Sequence, residues 1–135
     1  MAKKSRLLNL DDFDALDWDE EDMEGSNLVH ILEHDIDDVA VEDVLADDWI
    51  SVEMIVHTAE FTIVGPDRRW NRMLTLLFDT SWKQGNWLRP VTGWESEPPE
   101  LLEWERVTGR KWRRRRKGRT EQRRKPKKSA NSAQA

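Results

Sequence analysis

Residues 60–79 read EFTIVGPDRRWNRMLTLLFD. Two apolar runs, Glu60–Gly65 and Met73–Phe78, flank a break that begins Gly65-Pro66-Asp67. Each run is short, rich in β-branched or aromatic residues, and bounded by turn formers, so the stretch predicts two strands joined by a reversal. The same period of about 2 holds on either side, in Trp49–His57 and Asn86–Thr92. His57-Thr58-Ala59 and Lys83-Gln84-Gly85-Asn86 punctuate those runs. The expectation is a four-stranded antiparallel meander.

Upstream of Trp49 the apolar period changes to about 3.6. Leu28, Ile31 and Leu32 mark one face of a first helix, with Gly25 arguing for a start near Ser26. Val41, Val44 and Leu45 form the stripe of a second helix, for which Asp37 or Asp38 can serve as cap. Ala15–Trp18 alternates briefly, as a short strand does. Downstream, Pro98-Pro99 opens a third helix with Leu101, Leu102, Trp104 and Val107 on its apolar side and Gly109 as its stop. Helices and strands that come in runs predict an α+β fold: short N-terminal strand, two helices, four-stranded antiparallel meander, C-terminal helix. The folded domain is expected over residues 16–108, between a disordered segment 1–15 and a disordered basic tail 109–135.

Charge is segregated along the chain. Residues 1–109 hold nine Lys/Arg against twenty-six Asp/Glu, whereas residues 110–135 hold thirteen Lys/Arg against Glu121 alone. The formal net charge of −5 therefore hides an acidic domain joined to a cationic run. The acids within residues 11–48 read as a solvated acidic face, a surface suited to a basic protein partner. Asp12–Met23 lacks the glycine and terminal glutamate of a calcium loop. There is no cysteine, which excludes disulfides and zinc–thiolate sites. No apolar run approaches the roughly 18 residues that span a bilayer, and the N-terminus has neither signal- nor transit-peptide character. A cytoplasmic protein without a membrane span is expected.

Several segments together resemble the BrnT toxins, small RelE-fold proteins of bacterial toxin–antitoxin pairs. Trp18-Asp19, Asn27, His30-Ile31, His34-Asp35-Ile36 and Val41-Glu42-Asp43-Val44-Leu45 resemble the family's opening. EFTIVG, RMLTLLFD and NWLRPVTGWES fall where it has its strands, and Glu100, Glu103 and Trp104 match its last helix. The resemblance covers roughly residues 16–106. Glu33 and Asp35 stand where the family has lysine and glycine, and Trp94 stands in place of a second strand arginine. The resemblance implies a RelE-like fold, a metal-independent endoribonuclease acting on messenger RNA, and a small antitoxin partner.

Such chemistry needs cations on the phosphate and an acid or base for the 2′-hydroxyl. Arg72, opening the third strand run, and Arg89, on the fourth, are candidates to clamp one phosphate as sheet neighbours. His34 is the candidate acid/base; its other reading is a cap at the end of the first helix. His30 and His34 lie on one helical face, but Ile31-Leu32-Glu33 between them breaks the H-E-x-x-H pattern, so neither metal nor cofactor is expected. Trp82, Trp87 and Trp94 read as core or as a stacking platform, with at least one exposed because Trp87 and Trp94 differ in phase.

The cationic run is the most specific physical signal. Arg113, Arg114, Arg115, Arg116, Lys117, Arg119, Arg123, Arg124, Lys127 and Lys128 cannot form a core and will seek RNA or another polyanion. Nothing in the run fixes an array that reads bases, so binding is expected to be sequence-independent. Two other uses stay open: folding back on the acidic residues 11–48 as an autoinhibitory segment, or acting as a targeting signal.

Overall fold

A computed structural model describes residues 3–56 and 59–113. The elements are β1 (Lys3–Lys4), β2 (Ala15–Leu16), α1 (Asn27–Leu32), α2 (Asp38–Leu45), β3 (Ile50–Val52), β4 (Ile55–Val56), β5 (Phe61–Asp67), β6 (Arg72–Thr80), β7 (Trp87–Glu95) and α3 (Pro98–Thr108). The fold is α+β around a five-stranded mixed sheet of order β2-β7-β6-β5-β3. Strands β3, β5, β6 and β7 are antiparallel to their neighbours, while β2 joins the outer edge of β7 in parallel. The expected first strand run is split, because β3 enters the main sheet and β4 pairs with β1 in a separate two-stranded ribbon.

Strand β5 is buried along its whole length, so it does not alternate as a half-solvated strand would. The cause is a helix layer on each face. Phe61, Ile63, Leu74, Leu76 and Phe78 pack with Ile31, Ile36, Val41 and Val44 from the α1–α2 side. Val64 and Met73 pack instead with Ile50 and Trp104, the anchor of α3. Gly65 is where α2 meets the sheet: a Cβ there would lie 2.8 Å from Val44 Cγ1 and 2.9 Å from Trp49 Cβ. Pro66 costs no ladder bond toward β3, because β3 pairs only with residues 62–64 of β5. The β6–β7 register shifts by one residue between Leu77 and Phe78, beside Pro90, which has no N–H to donate.

Local chemistry sets the helix ends. Ser26 Oγ accepts the Val29 N–H at 3.3 Å and Asp37 Oδ1 accepts the Ala40 N–H at 2.8 Å, capping α1 and α2. Asp35 at φ 63 turns the chain between them, a conformation that Asp tolerates better than most residues. Helix α3 opens on two prolines and stops at Gly109 in the left-handed region, φ 73.

The described part of residues 1–15, expected to be disordered, is an ordered strap. Ser5 is buried and bridges two backbone groups, donating from Oγ to the Val52 carbonyl and accepting from the Met54 N–H. Leu8 enters the main core, and its N–H reaches Ser51 Oγ at 2.6 Å. Strand-edge pairing supplied by residues far along the chain organises a segment whose own composition would not. Among the described residues no helix is long and apolar enough to cross a membrane.

Candidate nucleic-acid interface

Arg89, the first candidate phosphate clamp, is already engaged. Its Nη2 donates to Asp19 Oδ2 at 2.7 Å, and its Nη1 reaches Asp19 Oδ1 at 3.1 Å and Asp17 Oδ2 at 3.3 Å. Lys83 Nζ lies 3.0 Å from both Asp17 Oδ1 and Asp19 Oδ1. Ser81 Oγ donates to Asp17 Oδ2 at 2.7 Å, and the Asn27 N–H donates to Asp19 Oδ2 at 3.2 Å. Asn27 closes the network through its amide, which donates to the carbonyls of Asp17 and Pro90 and accepts from the Asp19 N–H. Asp17 and Asp19 are 2% and 5% exposed, so these two members of the expected solvated acidic face are core residues. For Asp19 the hydrogen bond from Arg89 is the leading influence and, with those from Lys83 and Asn27, holds the carboxyl well below its ordinary range despite burial. For Asp17 burial is the largest influence and opposes ionisation, yet hydrogen bonds from Ser81, Lys83 and Arg89 outweigh it and lower the pKa.

Arg72 stands elsewhere. Its Nε donates at 2.9 Å to Asp67 Oδ2, a carboxylate with no exposed side-chain surface, directly across the β5–β6 ladder. The register places Arg89 opposite Asp79, seven positions along β6 from Arg72, or about 23 Å at strand rise. The two arginines therefore cannot hold one phosphate. Antiparallel neighbours begin at opposite ends, so two residues that each open a strand are separated by most of its length. His34 follows α1, is exposed, and packs edge-to-face on His30 with ring centroids 5.1 Å apart. A depression of about 440 Å3 between α1 and β7 includes His30 and Arg89 but not His34, and Glu21, Glu33 and Asp79 in its walls disfavour an anion. The structure brings none of Arg72, Arg89 and His34 together as a catalytic set.

Exposed cations gather instead where the chain leaves α3. A crevice of about 220 Å3 lies between the β5–β6 turn, which contributes Arg68 and Asn71, and residues 110–113. Arg110, Lys111 and Arg113 line it, Trp112 and Trp104 supply its apolar surface, and no carboxylate is among its lining residues. Trp104 is buried and donates its Nε1–H to the Asp48 carbonyl at 2.7 Å. Trp112 packs edge-to-face on it at 6.1 Å, with its own backbone N–H bound to Glu105 Oε2 at 2.8 Å. The Arg68 guanidinium stands 5.8 Å over the Trp112 ring.

Acids stand behind this rim. Arg68 is forked to Asp47, Nε to Oδ2 at 2.9 Å and Nη2 to Oδ1 at 3.2 Å, while Arg110 pairs with Asp48 and Lys111 with Glu105, and each cation is more than half exposed. The single-contact pairs of Arg110 and Lys111 are of the exposed kind worth about 0–1 kcal/mol, so a phosphate can exchange with their carboxylates. Arg72 and Arg89, whose carboxylates are buried, have no such freedom.

Of the residues expected to bind nucleic acid, Arg113 lies on this rim, exposed; Arg114, Arg115, Arg116, Lys117, Arg119, Arg123, Arg124, Lys127 and Lys128 lie outside the described residues. Of the three candidate stacking tryptophans, Trp82 is 78% exposed, while Trp87 and Trp94 are half-buried. Trp94 Nε1–H donates to Glu100 Oε1 at 3.1 Å, which also accepts from Thr75 Oγ1 at 2.7 Å, tying α3 to the sheet. Sequence reasoning missed Arg68, Arg110, Lys111 and Trp112 as one surface. The available signal was Trp112 itself, the lone aromatic in a cationic run. Comparison of the chain with protein-family models, curated proteins and solved structures found no match.

Proposed function

We propose that this protein binds single-stranded RNA without sequence preference, through the cationic run that begins at Arg110, and that it does so without cleaving it. One observation carries the reading: the run leaves the folded domain on a surface where Arg68, Arg110, Lys111 and Arg113 surround Trp112. Exposed cations beside an aromatic ring are what a single strand needs, since its phosphates demand charge and its unstacked bases demand a platform. A duplex would use only the charge. Trp70, in the same β5–β6 turn and 57% exposed with Arg69 5.5 Å over its ring, offers a second platform. The cations that ribonuclease chemistry would draw on already neutralise Asp17, Asp19 and Asp67.

The test is fluorescence anisotropy of a labelled oligouridylate against the full chain over a salt series. Engaging six phosphates of a single strand predicts a log–log salt slope of about −4. Replacing Arg113, Arg114, Arg115 and Arg116 together with Gln should lower that slope by about 3 in magnitude. No binding at low salt, or an unchanged slope in the variant, would overturn the reading. Shortening of the RNA by the native chain would refute its non-catalytic part.

A further inference from the structure

Resting on that reading of the cationic run, we infer that the crevice between Arg68 and Trp112 seats one nucleotide of the bound strand, its base stacked on the Trp112 indole. At about 220 Å3 the space is smaller than the roughly 300–1,000 Å3 typical of drug-sized ligands. It suits a single ring system with its phosphate outside on the rim.

The chemistry of the walls fits such an occupant. Trp112 is half-buried and held from two directions, by its edge-to-face contact with Trp104 and by the bond from its N–H to Glu105, so its ring is pre-oriented. Arg68, exposed and forked to Asp47, stands 5.8 Å over that ring; a seated base enters between the two, and the guanidinium lifts to stack on its far face. Asn71 presents an amide, donor and acceptor together, to a base edge. Its left-handed backbone, φ 54, fixes the turn that brings it there. Arg110 and Arg113 flank the opening, where the phosphates on either side of a seated base would pass. Arg113 is exposed on that rim.

The experiment compares two labelled oligonucleotides of about 12 residues, a length one binding surface can span: an oligouridylate and an abasic strand with the same number of phosphates. The native full chain should bind the base-bearing strand about tenfold more tightly. Trp112→Leu should erase that preference while leaving affinity for the abasic strand unchanged, and Trp112→Phe, which keeps a stacking face, should restore most of it. Equal binding of both strands by the native chain overturns the seat, as does a Trp112→Leu variant that weakens both strands alike. If the native chain binds neither strand, the RNA-binding reading itself fails, an outcome distinct from loss of base preference alone.

Discussion

Arg89 Nη2 lies 2.7 Å from Asp19 Oδ2, joining β7 to a carboxylate seventy residues earlier in the chain. The carboxylate is buried and the arginine mostly so. Removing one partner of a buried pair costs about 3–5 kcal/mol, and Lys83, which stays beside both carboxylates, holds the loss to the lower end of that range. Arg89→Ala should therefore lower stability by that amount in urea titration. Arg89→Lys should recover only part of it, because an ammonium cannot reproduce the forked contact to Asp19 and Asp17. An Arg89→Ala variant of native stability would free this arginine for a role in chemistry.

The same cluster predicts an acid limb in the stability profile. Asp19, chiefly through Arg89, and Asp17, through hydrogen bonds that overcome burial, have depressed pKa values in the folded state. As pH falls, the unfolded chain takes up these protons first, near the ordinary value of about 3.9. The contribution is thus complete above that pH and is lost as pH falls through the folded-state values. Between pH 7 and 5 this cluster should add no slope. Below about pH 4 the native chain should lose stability faster than Asp19→Asn. The two denaturation midpoints, well separated at pH 7, should then converge; parallel curves would show that Asp19 does not titrate in this way.

Gly65 gives a packing prediction with an internal control. A methyl group there meets Val44 Cγ1 at 2.8 Å and Trp49 Cβ at 2.9 Å, and the second is too close to the backbone to yield. Gly65→Ala should destabilise by about 1–3 kcal/mol, the usual cost of overpacking. Gly85, where an added methyl group would find nothing within 4 Å, should accept alanine with a change of less than about 0.5 kcal/mol. Chemical denaturation of the two variants side by side provides the check.

Much of the sheet was legible because its information is local. The apolar runs of β5 and β6, the caps Ser26 and Asp37 and the stop at Gly109 each depend on residues within a few positions. What escaped depends on pairing across the whole chain. The parallel docking of β2 on β7 buries Asp17 and Asp19 under Arg89, and nothing in the alternation of residues 11–24 distinguishes those two acids from their exposed neighbours. The strap at residues 3–8 is ordered by partners between residues 51 and 61. The phosphate clamp is different, since an antiparallel meander already puts the openings of β6 and β7 at opposite ends. The separation of Arg72 from Arg89 was implied by the predicted topology itself.

Trp104 and Trp112 connect the core to the cationic rim, and a double-mutant cycle can measure the connection. Trp104 is 1% exposed and its Nε1–H satisfies the Asp48 carbonyl, so Trp104→Phe should cost about 1–3 kcal/mol through the lost bond. It also meets the Trp112 ring edge-to-face, with centroids 6.1 Å apart. Such aromatic pairs couple by about 0.5–1.5 kcal/mol beyond burial. Combining Trp104→Leu with Trp112→Leu should therefore be less destabilising than the sum of the single changes, by that amount. Trp104→Leu should also reduce the preference for base-bearing over abasic RNA, because a tilting Trp112 loses its stacking face. Arg89→Ala, far from the crevice, should lower stability and leave that preference intact under conditions where the variant is still folded. Strict additivity in the cycle would mean that Trp112 rests on the domain without being held by it, and base preference would then be insensitive to Trp104.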